Sequence, residues 1–130
     1  VNMPIELADA FVATTTLLGG TTRSVDLVPG TGKVFYNNNA SAAVYAMFAA
    51  GDVIGVAVDQ TVSPPVTFYS KNGTWLGSFN AAAGTGGFAL LNMTDFIPAF
   101  STNRIGASAR LNTGPATAYG PPAGFTTLVM

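Results

Sequence analysis

Residues 51–77, GDVIGVAVDQTVSPPVTFYSKNGTWLG, decide the fold of this chain. In residues 52–59 the apolar side chains Ile54, Val56 and Val58 alternate with Gly55, Ala57 and Asp59. That period of two marks a strand with one heavy apolar face. Residues 61–65 interrupt it, because Pro64 and Pro65 have no N–H to give to a sheet ladder. Alternation resumes in residues 66–70, with Val66 and Phe68 set against Thr67 and Tyr69. Asn72 and Gly73 tolerate the positive φ of a tight hairpin turn, and residues 74–77 read as the returning strand. The expectation is an antiparallel meander that buries Ile54, Val56, Val58, Val66 and Phe68.

The flanking sequence carries the same kind of signal. Residues 24–28 read as a short strand stopped by Pro29 and Gly30. Residues 33–36 read as another, followed by a turn at Asn37, Asn38 and Asn39. Residues 43–48 alternate Val44, Ala46 and Phe48 against Tyr45 and Met47. Residues 80–87 form a loop of small side chains, and residues 90–93 and 96–100 are two further strands separated at Thr94 and Asp95. Residues 104–111 have the cleanest alternation, with Ile105, Ala107, Ala109 and Leu111 inward and Arg104, Gly106, Ser108 and Arg110 outward. Residues 3–12 suit either a strand through Ile5 and Leu7 or a short helical turn. Residues 17–22 are a loop, 112–122 a Gly/Pro-rich connection, and 125–129 a closing strand. Short strands with turns every roughly 8–12 residues predict one all-β domain over residues 1–130, an antiparallel β-sandwich.

Composition narrows the function classes. Five basic and six acidic residues give a net charge of −1, and only 8% of the chain is charged, against the usual quarter or so. Apolar residues make up 48%, the reverse of a disordered chain. No apolar run approaches the roughly 20 residues that span a bilayer, since Gly51 and Asp52 interrupt residues 46–57; no membrane partner is expected. A surface this poor in charge is hard to keep monomeric. It suits a piece of a larger assembly, or else a Gly/Ala-rich domain kept in solution by Ser, Thr and Asn. Residues 1–11 carry Glu6 and Asp9 and no basic stretch, unlike a secretory signal.

Catalytic options are few. The chain has neither His nor Cys, so Ser–His–Asp and Cys–His machinery, disulfides and the zinc sites built on those ligands are all excluded. Asp52 and Asp59 would lie on opposite faces of one strand, roughly 23 Å apart, too far to act on one bond as acid and base. Each suits a turn cap instead. Glu6 and Asp9 would share a face only in a helix. Gly30-Thr31-Gly32-Lys33 imitates the end of a phosphate-binding loop. However, Leu27 stands where that motif needs glycine, and Val34 where it needs Ser or Thr. No calcium loop is present. Five scattered basic residues give no nucleic-acid footprint. The expectation is therefore a protein that is not an enzyme and has no metal or cofactor.

The wording of residues 51–59, followed by Phe68-Tyr69, Lys71-Asn72-Gly73 and Leu76-Gly77, resembles the central signature of a SPRY domain. More narrowly, it is similar to the SPRY domains of structural proteins of tailed bacteriophages. Upstream, Gly32-Lys33-Val34-Phe35-Tyr36-Asn37 resembles the family's G-K-x-Y-x-N strand. Downstream, Phe96-Ile97-Pro98-Ala99 resembles its F-x-P-A strand, and residues 119–125, YGPPAGF, resemble the segment that closes the phage version. The resemblance covers residues 30–128. Residues 60–65 depart from it by replacing a short polar turn, and the early strand that carries W-Y-x-E has no counterpart.

The resemblance implies a concanavalin-like jelly roll and a non-catalytic binding module. In a sandwich, the loops at the ends carry binding. The candidates here are Tyr36, Asn37, Asn38 and Asn39 in one loop, and Asn72 and Trp75 in another. Trp75 is the only tryptophan. Beside exposed amides it suits a sugar or a protein contact, or it plugs the sandwich edge. The leading expectation is a virion structural component, made in the bacterial host cytoplasm: a capsid decoration or fibre domain that coheres with other virion proteins. The resemblance implies a homo-oligomer, a trimer by analogy with phage fibres. The alternative is a tail-fibre module that recognises a host surface glycan or protein.

Overall fold

The computed structural model describes residues 5–8, 23–100, 110–111 and 119–126. Among them there is no helix. The strands are β1 (Ile5–Ala8), β2 (Ser24–Val28), β3 (Lys33–Tyr36), β4 (Asn39–Ala40), β5 (Ile54–Asp59), β6 (Val66–Lys71), β7 (Thr74–Trp75), β8 (Phe88–Ala89) and β9 (Ile97–Phe100). One sheet runs β4-β3-β2-β1-β9, and the other runs β5-β6-β7 with β8 also on β6. Every pairing is antiparallel. The architecture is all-β and sandwich-like.

Local chemistry sets the hairpins. Lys71 pairs with Thr74, leaving Asn72 (φ 50°) and Gly73 (φ 80°) as a two-residue turn. Tyr36 pairs with Asn39, leaving Asn37 (φ 52°) and Asn38 (φ 58°) in the same role. Both have the doubly positive φ that matches strand twist, and Asn and Gly are the residues that accept it most cheaply. At the β2–β3 turn, Gly32 has φ +63°, and a Cβ there would lie 2.8 Å from the Ala46 carbonyl carbon. Only glycine fits.

Register assigns the faces, because residues directly opposite in a ladder share one. Val25 lies opposite Tyr36 and Leu27 opposite Val34, so these four form one apolar face of the first sheet. In the second sheet Val56 lies opposite Tyr69 and Val58 opposite Thr67. Tyr36 meets Phe88 edge-on at 6.0 Å, joining the two sheets. The opposite face of β6 is covered too. Phe68 has no exposed surface and meets Trp75, Phe79 and Phe125 edge-on.

Several expectations need correction. Ile54, Val56, Val58 and Val66 are only half-buried; the first three share their face with Tyr69, whereas Val66 lies with Phe68 and Ala57 on the other side. Ala57 is the buried member of β5 because it sits opposite Phe68. Strand β5 starts at Ile54 rather than at residue 52, and β7 ends at Trp75 rather than at residue 77. Asn39 begins β4 instead of completing a turn. Residues 43–48 are not a strand: Tyr45 stacks on Phe79 at 4.5 Å and Phe48 packs on the core, while Val44 and Met47 point to solvent.

Residues 90–93 turn rather than extend, with Met93 N–H donating to the Leu90 carbonyl. Leu111 is exposed and outside any strand, not inward. Phe125 packs on Phe68 without forming a strand. Glu6 lies in a strand, so the helical reading of residues 3–12 fails there. Asp9, residues 17–22 and 104–109, and most of 112–122 lie outside the described residues.

Candidate functional site

The two candidate loops stand at opposite ends of the sandwich. Tyr36 contacts Phe88, and Phe88 pairs with Thr67 near the start of β6. Asn72 follows the end of β6, five residues on, roughly 17 Å away along an extended strand. The structure therefore does not assemble Tyr36, Asn37, Asn38, Asn39, Asn72 and Trp75 into one site.

At the Asn72 end, the side chains hold the fold. Asn72 Oδ1 accepts from Val53 N–H at 2.8 Å, and its Nδ2 donates to Asp52 Oδ1 at 2.8 Å. Asp52 Oδ2 accepts from Ala49 N–H and pairs with Lys71 Nζ. These contacts, the Ala49 N–H first, hold the Asp52 carboxyl down at about 2. Trp75 is half-buried against Phe68 rather than displayed in the loop. Asp59 is a turn cap, its Oδ1 accepting from the hydroxyl and N–H of Thr61, which lowers its pKa.

This end also displays apolar surface. Residues 41–51 cross it without a charged side chain, exposing Val44 (60%) and Met47 (64%). The segment is fastened by Tyr45 N–H to the Gly32 carbonyl and by Lys71 Nζ to the Met47 carbonyl. The Tyr119 ring lies against Gly73, 49% exposed.

At the Tyr36 end, Asn37 and Asn38 are exposed, and Asn39 Nδ2 donates to the Asn37 carbonyl. The Tyr36 hydroxyl accepts from Asn92 N–H at 3.2 Å. Beside it opens a cleft of about 750 Å³ between the β5–β6 loop and the turn after β8. Sequence reasoning missed this cleft. Its one signal was the replacement of a short turn by residues 60–65. Among the described residues no group of His, Cys, Asp or Glu could hold a metal ion. The chain matches no protein-family model, and no curated protein matches it.

Proposed function

We propose that the chain is a non-catalytic structural domain of a tailed-phage virion, a capsid decoration or fibre domain that acts through protein–protein contacts. The observation that carries this reading is the uncharged end formed by residues 41–51. Val44 and Met47 are exposed on that segment, Tyr119 is exposed against Gly73, and the nearby charges Lys71 and Asp52 pair with each other. A charge of −1 offers little repulsion between copies. The SPRY-like wording of residues 51–77 supplies the virion context. Sedimentation at micromolar concentration should show association that Met47→Glu weakens. A monomer at every concentration, with no affinity for phage structural proteins, overturns the reading. A second reading, a receptor-binding module, is favoured by a separate observation, the cleft beside Tyr36.

A further inference from the structure

We propose that the cleft between residues 60–65 and residues 91–94 binds a neutral glycan. The inference rests on the receptor-binding reading and adds the place and the chemical class of the ligand. The volume of about 750 Å³ is in the range of small-molecule sites. The connection that builds one wall is longer than the usual hairpin loop, and it holds two consecutive prolines, Pro64 and Pro65, which line the cleft.

The walls are fixed before any ligand arrives. Leu90 N–H donates to the Pro65 carbonyl at 2.8 Å, fastening one wall to the other. Leu90 and Met93 are buried at 0% and 2%, anchoring the turn that carries Leu91 and Asn92. Asn92 N–H is held by the Tyr36 hydroxyl. Such preorganisation removes ordering cost from binding.

The lining specifies the class. Leu91, 66% exposed, lines one wall and Pro64 and Pro65 the other, giving apolar surface on both sides for the C–H faces of a sugar ring. Gln60 and Asn92 bring amides that donate and accept at once, and Ser63 brings a hydroxyl; that combination matches vicinal hydroxyl groups. Among the described residues no carboxylate lines the cleft, which gives a cation no charged ligand there. Arg23 also lines it and has an interaction of its own; the acidic control below tests whether its charge selects an anion.

The test is an amide-resolved NMR titration of the full chain with trimers of glucose, galactose and N-acetylglucosamine, and with an oligogalacturonate as the acidic control. At least one neutral trimer should shift the Gln60 and Asn92 side-chain amides and the Leu91 N–H. Leu91→Asp and Asn92→Ala, both at exposed positions, should each weaken that binding about tenfold or more, about 1.4 kcal/mol, while leaving sedimentation unchanged. Neutral binding that maps elsewhere on the chain would sink the cleft and leave the receptor-binding reading standing. Binding by the oligogalacturonate alone would overturn the neutral class. No shift with any sugar would overturn both.

Discussion

Lys71 Nζ lies 3.0 Å from Asp52 Oδ2, and the same ammonium donates to the Met47 carbonyl, so one side chain ties residues 47–52 to the end of β6. Asn72 completes the clamp through Val53 and Asp52.

Asn72→Ala removes both side-chain bonds and places alanine at φ 50°. It should cost about 1–3 kcal/mol. Asn72→Gly keeps the backbone relaxed and loses only the bonds, so it should cost about 1 kcal/mol. Urea denaturation of the two variants separates strain from hydrogen bonding. Equal stability of Asn72→Ala and the parent would show that the clamp contributes nothing.

Phe68 and Val56 test the assignment of the faces. Phe68 is fully buried among three other rings, and Phe68→Ala should cost about 3–5 kcal/mol. Val56 is half-buried, and Val56→Ala should cost only about 1 kcal/mol. The reverse order in denaturant melts would mean that the valine face, not the Phe68 face, holds the tighter core.

What was readable in the sequence follows from which forces are local. Strands β2, β3, β5 and β6 and the Asn72-Gly73 turn are specified by side-chain alternation and by residues that accept positive φ, all within a few positions. Residues 43–48 alternate just as well, yet Tyr45 is claimed by Phe79, more than thirty positions away, and the segment crosses the sandwich end instead of joining a sheet. Phe79 meets both Phe68 and Tyr69, neighbours that face opposite ways, which places it at the β6 edge. No periodicity announces such a ring. The cleft was hidden for the same reason. Its walls meet through the bond from Leu90 to Pro65, a contact between two loops without a repeating pattern.

Gly87 gives a steric prediction. A Cβ there would lie 2.8 Å from Val66 Cβ and 2.9 Å from the Phe68 ring, which has no room to retreat. Gly87→Ala should cost about 1–3 kcal/mol by overpacking. Gly120, with nothing within 4 Å of its added Cβ, is the control, and Gly120→Ala should stay within about 0.5 kcal/mol of the parent. Thermal melts of the pair decide it. A neutral Gly87→Ala would show that the Phe68 cluster yields more than its burial implies.

Asp26 makes stability depend on pH in the direction opposite to most carboxylates. It sits in β2, directly between Glu6 of β1 and Phe35 of β3, and is only 4% exposed. Among the described residues its Oδ1 has no hydrogen-bond partner. Lys33, paired with Val28, is one step further along the same face. Burial raises the Asp26 carboxyl from 3.8 to about 7. Below 3.8 the group is protonated in both folded and unfolded chains and exerts no pull. Between 3.8 and about 7 the folded state holds the proton that the unfolded state has released, so stability falls as pH rises. Above about 7 the loss is complete, on the order of 4 kcal/mol. Asp52 acts the other way, contributing stability that is lost only as pH falls from 3.8 through about 2. The maximum should therefore lie near pH 4. Asp26→Asn keeps the shape without the charge. At pH 8 it should be more stable than the parent, and near pH 3.8, where Asp26 has lost little, no more stable. Guanidinium melts at the two values check this; equal pH slopes in parent and variant would show that Asp26 does not titrate in this window.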